Sequence, residues 1–395
     1  MKKGLLIMLL LLAGLLLFVA CVDNTETPPT EAPSTESPTS QPPSPPPASQ
    51  PPASLPPVIG GGDDFEAPEG PVVGPKGTGT PIVIYSNSFT DERLDWLQER
   101  AGQDGFVIEG VAAGGGAIAD RLIAEKHNPI ADVVFGLNIF LWDNMIRNDV
   151  ILQYVPAWAS EIPPGLSHAD GWYHALVIQA ILLMYDVDQV SNPPTDWPDL
   201  WNNPEFHGKY QFETALTGGT TRMVVAGILG RYLDPDGYLG VSDEGWEQIE
   251  QYYTYGFPNF DTVDIAIRIA DPGSEVTMGQ IWHAGIPMRE EEHGFTAGWP
   301  VPAVGVPFVV EGIAPVKGTK NLEEAQLFIE WFGTAQIQTE WQLRFDSLPA
   351  NVFAQDNLDE FQYTIASLPV QDVDWDVVAQ YIDQWAEHIM LTYMP

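Results

Sequence analysis

From residue 81 onward the chain alternates short apolar runs with helical stretches, and the early apolar runs end in small or polar residues. Pro81-Ile82-Val83-Ile84-Tyr85 is bounded by a proline and by Ser86-Asn87-Ser88, which predicts a buried strand followed by a polar loop. Residues 90–101 follow with Phe89, Leu94 and Leu97 on one helical face and Thr90 available as a cap. Residues 106–111 predict a second strand, Gly114-Gly115-Gly116 a tight loop, and 117–126 a second helix. Residues 131–135 predict a third strand, which runs out into Gly136-Leu137-Asn138. A βαβαβ opening demands a parallel sheet with right-handed crossovers. The same grammar continues with strands at 175–185, 209–213, 281–286 and 308–314. Helices are expected at 197–202, 222–232, 242–255, 322–332 and 374–390.

The first 80 residues follow different rules. Lys2 and Lys3 precede an apolar run over 5–19, shorter than the roughly 20 residues of a membrane span, and the pattern is that of a signal segment, residues 1–20. It ends in Phe18-Val19-Ala20-Cys21, with the chain's single cysteine. A small residue before a lone Cys resembles a bacterial lipobox, with Phe18 where Leu is usual, and this implies lipidation at Cys21 and attachment to the membrane. A plain secretory leader is the alternative. Residues 21–80 are rich in Pro, Ser and Thr, which predicts a disordered, extended tether rising ~3.1 Å per residue. One cysteine excludes an intramolecular disulfide. The remaining stretch of 81–395 is longer than one core usually grows, so two lobes are expected.

The chain has 16 Lys and Arg against 54 Asp and Glu, a formal charge of −38. Phosphate backbones need a basic footprint, so nucleic acid is excluded as a partner. The sequence carries no Gly-x-Ser-x-Gly elbow, no His-Glu-x-x-His and no P-loop, and no enzyme activity, cofactor or metal is expected.

Three stretches carry a family resemblance: ADVVFGLNIFLWDNMI (131–146), LLMYDVDQVSNPPTDWPDLWN (182–202) and PFVVEGIAPVKGTKNLEEAQLFIEWF (307–332). In order and spacing they resemble the family 1 extracellular solute-binding proteins of bacterial ABC importers, nearest to the thiamine- and iron(III)-binding branch. The resemblance implies a type II periplasmic-binding-protein-like α/β fold, with two lobes of mainly parallel sheet flanked by helices and a ligand cleft between them. It places lobe one at 81–174 and lobe two at 175–305, each with part of 306–395. It further implies a monomer on the extracellular or periplasmic face of the cell membrane, capturing a small solute for a separate permease and ATPase. An organic cation or a phosphorylated or phosphonate compound, such as thiamine, a polyamine or an aminophosphonate, would suit the acidic balance and the helix start at 217–221. Iron(III) or a sugar remains open within the family. A secreted carbohydrate-active hydrolase on a Pro-rich linker and a surface adhesin are the rival classes.

In open α/β sheets ligands bind at the carboxyl ends of strands. That rule selects Ser86, Asn87 and Ser88 after the first strand, against the plainer reading of an Asx or Ser turn. It selects Gly115 and Gly116, whose backbone permits close approach, and Asn138 past the third strand. Thr217-Gly218-Gly219-Thr220 precedes a helix, where unpaired N–H groups and small residues suit an anionic oxygen, a plain helix cap being the alternative. Trp282 and His283 lie where the resemblance places a loop of the second lobe. Trp282 could stack on a ring or a cation, or be core. Glu311 lies in the strand that the resemblance makes the return crossover between lobes, either as partner for a cationic ligand or as a hinge ion pair. The Glu290-Glu291-Glu292-His293 run reads as a solvated acidic loop. Iron(III)-binding relatives use an adjacent tyrosine pair, and Tyr252-Tyr253 sits on an amphipathic helix instead.

Overall fold

The computed structural model describes residues 68–90 and 92–394, so the expected leader, Cys21 and most of the tether lie outside the described residues. Strand β1 (Pro81–Ser86) sends Ile82 and Ile84 to one face and Tyr85 to the other, the period-2 alternation of a strand. Helix α1 (Arg93–Gln103) starts later than expected: Glu92, in a left-handed φ of 48°, takes the cap position that Thr90 was expected to fill and makes no side-chain cap bond, and the Arg93 N–H bonds the Thr90 carbonyl. Strand β2 (Val107–Ala112), helix α2 (Gly115–Ala124) and strand β3 (Val133–Phe135) complete the opening, with β2 and β3 each parallel to β1. Helix α3 (Ile139–Arg147) is capped by the Asn138 side chain, which accepts the Leu141 N–H. Trp142 stacks on Tyr173 at 5.1 Å and is core.

Strand β4 (His174–Asp186) runs 13 residues, almost all buried. Its first half lies in the same sheet as β1–β3 and its second half pairs with a second group of strands. That group comprises β5 (Tyr210–Glu213), β6 (Phe257–Asn259) and β7 (Met278–Trp282), with β5 parallel to both β6 and β7. Helices α4 (Gly219–Leu229) and α5 (Asp243–Tyr255) cover it. Helix α4 begins at Gly219, earlier than the expected 222. The run expected as a strand over 281–286 stays extended only to Trp282, then turns through His283–Gly285 into helix α6 (Ile286–His293). The Glu290–His293 run is therefore helical, and Glu290 accepts the Ala297 N–H at 2.7 Å.

Strand β8 (Phe308–Pro315) lies antiparallel between β3 and β4, giving the order β2-β1-β3-β8-β4-β7-β5-β6. The antiparallel strands β4 and β8 thus sit between two parallel groups, one in each lobe of a type II periplasmic-binding fold. After β8, helices α7 (Leu322–Phe332) and α8 (Ala335–Phe345) pack Phe328, Phe332 and Trp341 on the first lobe. Helix α9 (Trp375–Thr392) packs Val378, Ile382 and Trp385 on the second.

Residues 68–80, read from composition as tether, run along the first lobe. Thr78 gives its N–H to the buried Glu324 carboxylate at 2.9 Å, Val72 gives its own to buried Glu161, and Gly77 bonds the Asp104 carbonyl at 2.9 Å. A Cβ on Gly77 would lie 2.7 Å from the Gly105 carbonyl oxygen, so the contact needs bare backbone. Composition alone missed this because much of the attachment is made by backbone donors, which leave no sequence signature, joined by the Thr78 hydroxyl on Glu324 and by Val72 against the core.

Trp385 is fully buried and gives its indole N–H to the Leu239 carbonyl at 2.9 Å. Trp385→Ala should cost about 3–5 kcal/mol, read as a lower urea midpoint. A change under 1 kcal/mol would contradict the packing of α9 described here.

Candidate functional site

A cavity of about 150 Å³ lies where the carboxyl ends of β1 and β3 face the start of α4, with β4 and β8 as its floor. The floor follows from strand geometry. Gln179 and Ile181 alternate on one face of β4, Val309 and Glu311 on the same face of β8, and Val309 lies opposite Gln179 in register. The first lobe adds Asn87, Ser88, Thr90, Arg93, Gly136 and Asn138, and the second adds Gly219, Thr220 and Trp282.

Gly136 shapes the first-lobe wall. It has φ +98°, and a Cβ there would lie 2.4 Å from Ser88 Oγ and 2.6 Å from Asn87 Oδ1. The 86–88 loop therefore folds against bare backbone. Ser86 is fully buried, and its Oγ accepts the Ser88 N–H at 2.9 Å, so it shapes the loop rather than lining the cavity. Ser88 Oγ donates to Glu311 Oε2 at 2.7 Å. Burial pushes the Glu311 carboxyl above the usual carboxylate range, while the Ser88 hydroxyl and the charge of Arg93 pull it back. The cavity wall thus carries a partly buried carboxyl and a guanidinium within electrostatic reach of each other. Two further oxygens, Asn87 Oδ1 and Gln179 Oε1, are buried and have no hydrogen-bond partner among the described residues. Such an atom costs about 1–3 kcal/mol unless something fills its place.

The lobes approach closely around this space. A Cβ on Gly219 would lie 3.4 Å from Asn138 Nδ2, and one on Gly116 would lie 3.7 Å from the Thr217 carbonyl oxygen. Gly116, Thr217 and Gly218 therefore stand at the rim and do not line the cavity. Gly218 is the cap position of α4, with no side-chain bond of its own. Gly115 is buried, 2.7 Å in Cβ terms from Leu141 Cδ1, and belongs to the packing of α2 on α3. Trp282 reaches the cavity with Arg289 4.8 Å over its ring, itself ion-paired to Asp264 at 2.6 Å, so one ring face is taken. His283 points away from it. The ring is fully buried, Nδ1 accepts the Ala180 N–H at 3.0 Å, and burial pushes its pKa down to about 3, which makes it a neutral structural group.

Of the residues selected from sequence, the structure gathers Asn87, Ser88, Asn138, Gly219, Thr220, Trp282 and Glu311 around one space. Sequence reasoning missed Thr90, Arg93, Gly136, Gln179, Ile181 and Val309. Gln179 left a trace that could have been read: it is the one strongly polar residue in ALVIQAILLMY. Tyr252 and Tyr253 are buried in α5, where burial raises both phenols, and Tyr253 packs edge-on against Phe212 at 4.9 Å. Among the described residues no group of three or more His, Cys, Asp or Glu is placed to hold a metal.

The pattern of the bacterial extracellular solute-binding proteins matches residues 101–365. The chain is 33% identical over 313 residues to the "Probable ABC transporter periplasmic-binding protein" of Sinorhizobium fredii, covering 78% of this chain and 86% of that one. It is 26% identical over 159 residues to the "Putative 2-aminoethylphosphonate-binding periplasmic protein" of Salmonella typhimurium, 38% of this chain and 45% of that one. The fold superposes on iron-bound HitA of Pseudomonas aeruginosa with TM-score 0.66 at 16% identity, over 78% of this chain and 99% of the other. This chain belongs to the bacterial extracellular solute-binding proteins. It is the substrate-binding protein of an ABC importer, which implies a permease and an ATPase as partners.

Gly136→Ala should lower stability by about 2–4 kcal/mol, from left-handed strain plus the clash with the 86–88 loop. Thermal melting of the unliganded protein reads this, and an unchanged melting temperature would rule out the close approach.

Proposed function

We propose that the solute is a short zwitterion, an aminoalkylphosphonate of the size of 2-aminoethylphosphonate. The observation that carries this reading is the set of oxygens around the cavity: the Glu311 carboxyl with the unpartnered Asn87 Oδ1 and Gln179 Oε1. A primary ammonium has three donors, and these are three acceptors. The phosphonate would lie toward the start of α4, where the orphan N–H groups of Gly219 and Thr220 and the Thr220 hydroxyl meet the helix dipole, with Arg93 in the same wall. Size supports the reading. An apolar cavity of about 150 Å³ takes a molecule such as benzene, and 2-aminoethylphosphonate has about seven non-hydrogen atoms, whereas thiamine is far larger. The partial resemblance to the Salmonella protein points the same way. Iron(III) is less well served, because the tyrosine pair is buried away from the cavity.

The reading extends to the anchor and the lobes. The importer component is held to the outer face of the membrane by a lipid on Cys21. The first lobe is 81–174 with α7 and α8, the second is 175–305 with α9, and β4 and β8 cross between them.

Titration calorimetry with 2-aminoethylphosphonate, ethylphosphonate, ethanolamine and thiamine separates the possibilities. Only the zwitterion should bind tightly. Equal affinity for ethylphosphonate would remove the ammonium subsite, and tight thiamine binding would sink the proposal. Glu311→Gln should weaken 2-aminoethylphosphonate roughly ten- to a hundredfold. A cation requires the ionised carboxylate, and the free carboxyl titrates above the usual range. Affinity should therefore be full well above that pKa and fall as the pH is lowered through it, with a flatter profile in Glu311→Gln. For the anchor, Cys21→Ser should release the protein from membranes or leave it unprocessed, as seen by fractionation and mobility on gels. Retention of a processed form would refute lipidation.

A further inference from the structure

The lobes meet at a second place, beside the polar cavity. Helix α3 belongs to the first lobe, where Leu141, Trp142 and Met145 are buried with Tyr85 and Val134 of β1 and β3. Phe140 on the same helix does the opposite. It is 4% exposed, and it is buried in the cluster of the other lobe, with Met223 of α4 and Trp385 of α9. Its ring lies 6.0 Å from that of Trp375, the first residue of α9, at an interplanar angle of 47°. A separate cavity of about 170 Å³ runs along this seam, lined by Ile139, Met223, Val309 and Trp375 among others. Packing with a void beside it lacks the partner atoms of a lobe interior. Such a seam can part while each lobe keeps its own core.

We infer that Phe140 and Trp375 form an apolar clasp that holds the lobes together and sets solute affinity without touching the solute. Phe140 cannot stay buried against α9 if the lobes swing apart, so the contact exists only in the closed arrangement. A contact confined to the closed arrangement shifts the population toward it and adds to the affinity of every solute alike. Its effect falls on the dissociation rate more than on association, because it prolongs the closed complex. Both are positioning residues, and their action is independent of which solute the cavity takes.

The test uses the chain carrying Cys21→Ser, with Asp120→Cys on α2 and Glu247→Cys on α5 as spin-label sites, both exposed and one on each lobe. Phe140→Ala should give a longer and broader interlobe distance distribution than the parent, and Phe140→Leu should restore it. With 2-aminoethylphosphonate as the probe, Phe140→Ala should raise Kd about tenfold through faster dissociation, with association little changed. The clasp rests on solute capture and not on the aminophosphonate reading. If the parent takes up no 2-aminoethylphosphonate, that reading fails, and the distance distributions alone decide the clasp. Should Phe140→Ala fail to fold, Trp375→Leu, at a partly exposed position, carries the same measurements. Distances unchanged from the parent in the variant that folds overturn the inference. A loss of affinity with Phe140→Leu as large as with Phe140→Ala also overturns it.

Discussion

Strands β4 and β8 pair antiparallel through the middle of the molecule, Phe308 opposite Ala180 and Glu311 opposite Val177. Both parallel groups of strands are built outward from this pair, β1–β3 against β8 and β5–β7 against β4. The pair is both the mechanical link between the lobes and the floor of the cavity. Between its ends, where His174 and Asp186 are buried, the pair is apolar except for Gln179 and Glu311, which face the cavity. Backbone pairing holds these two side chains in place at a point where neither lobe alone could bury them.

A carboxyl taken from water in this way is costly, and the protein offsets the cost unequally. Ser88 donates one hydrogen bond and Arg93 contributes charge, yet burial still dominates and the carboxyl is held less acidic than usual. A group left in that condition gains most from a cation that restores its ionised form. The buried oxygens of Asn87 and Gln179 have the same character, since each would gain a hydrogen bond from a donor entering the cavity. Chemistry of this kind suits the capture of a solute. It fits a family whose members bind and hand over rather than transform.

The likeness to HitA extends to the fold. The two backbones superpose at TM-score 0.66 with 16% identity, so the architecture persists while most side chains differ. Tyr252 and Tyr253 of α5 are buried in the core of the second group of strands. The fold supplies a cleft between lobes, and the residues at strand ends decide what enters it.

The period-2 and helical patterns determined most of the elements by themselves, because a strand or helix that buries one face leaves its period in the sequence. Helix α7 was legible to its exact ends, and Asn87, Ser88 and Asn138 were legible as polar residues just past strand ends. Boundaries set by backbone were not. The left-handed Glu92 moved the start of α1, and a turn after Trp282 carried His283 into the core. Only the tertiary structure decided which polar residues share one space. Arg93, Gln179 and Glu311 are scattered over more than two hundred positions, and their meeting depends on the register of β4 against β8 and on how α1 packs. Only it decided, too, that Phe140 crosses to the other lobe and that residues 70–80 lie on the first. Periodicity records that a side chain is buried, but the partner it is buried against comes from packing between elements far apart in the chain.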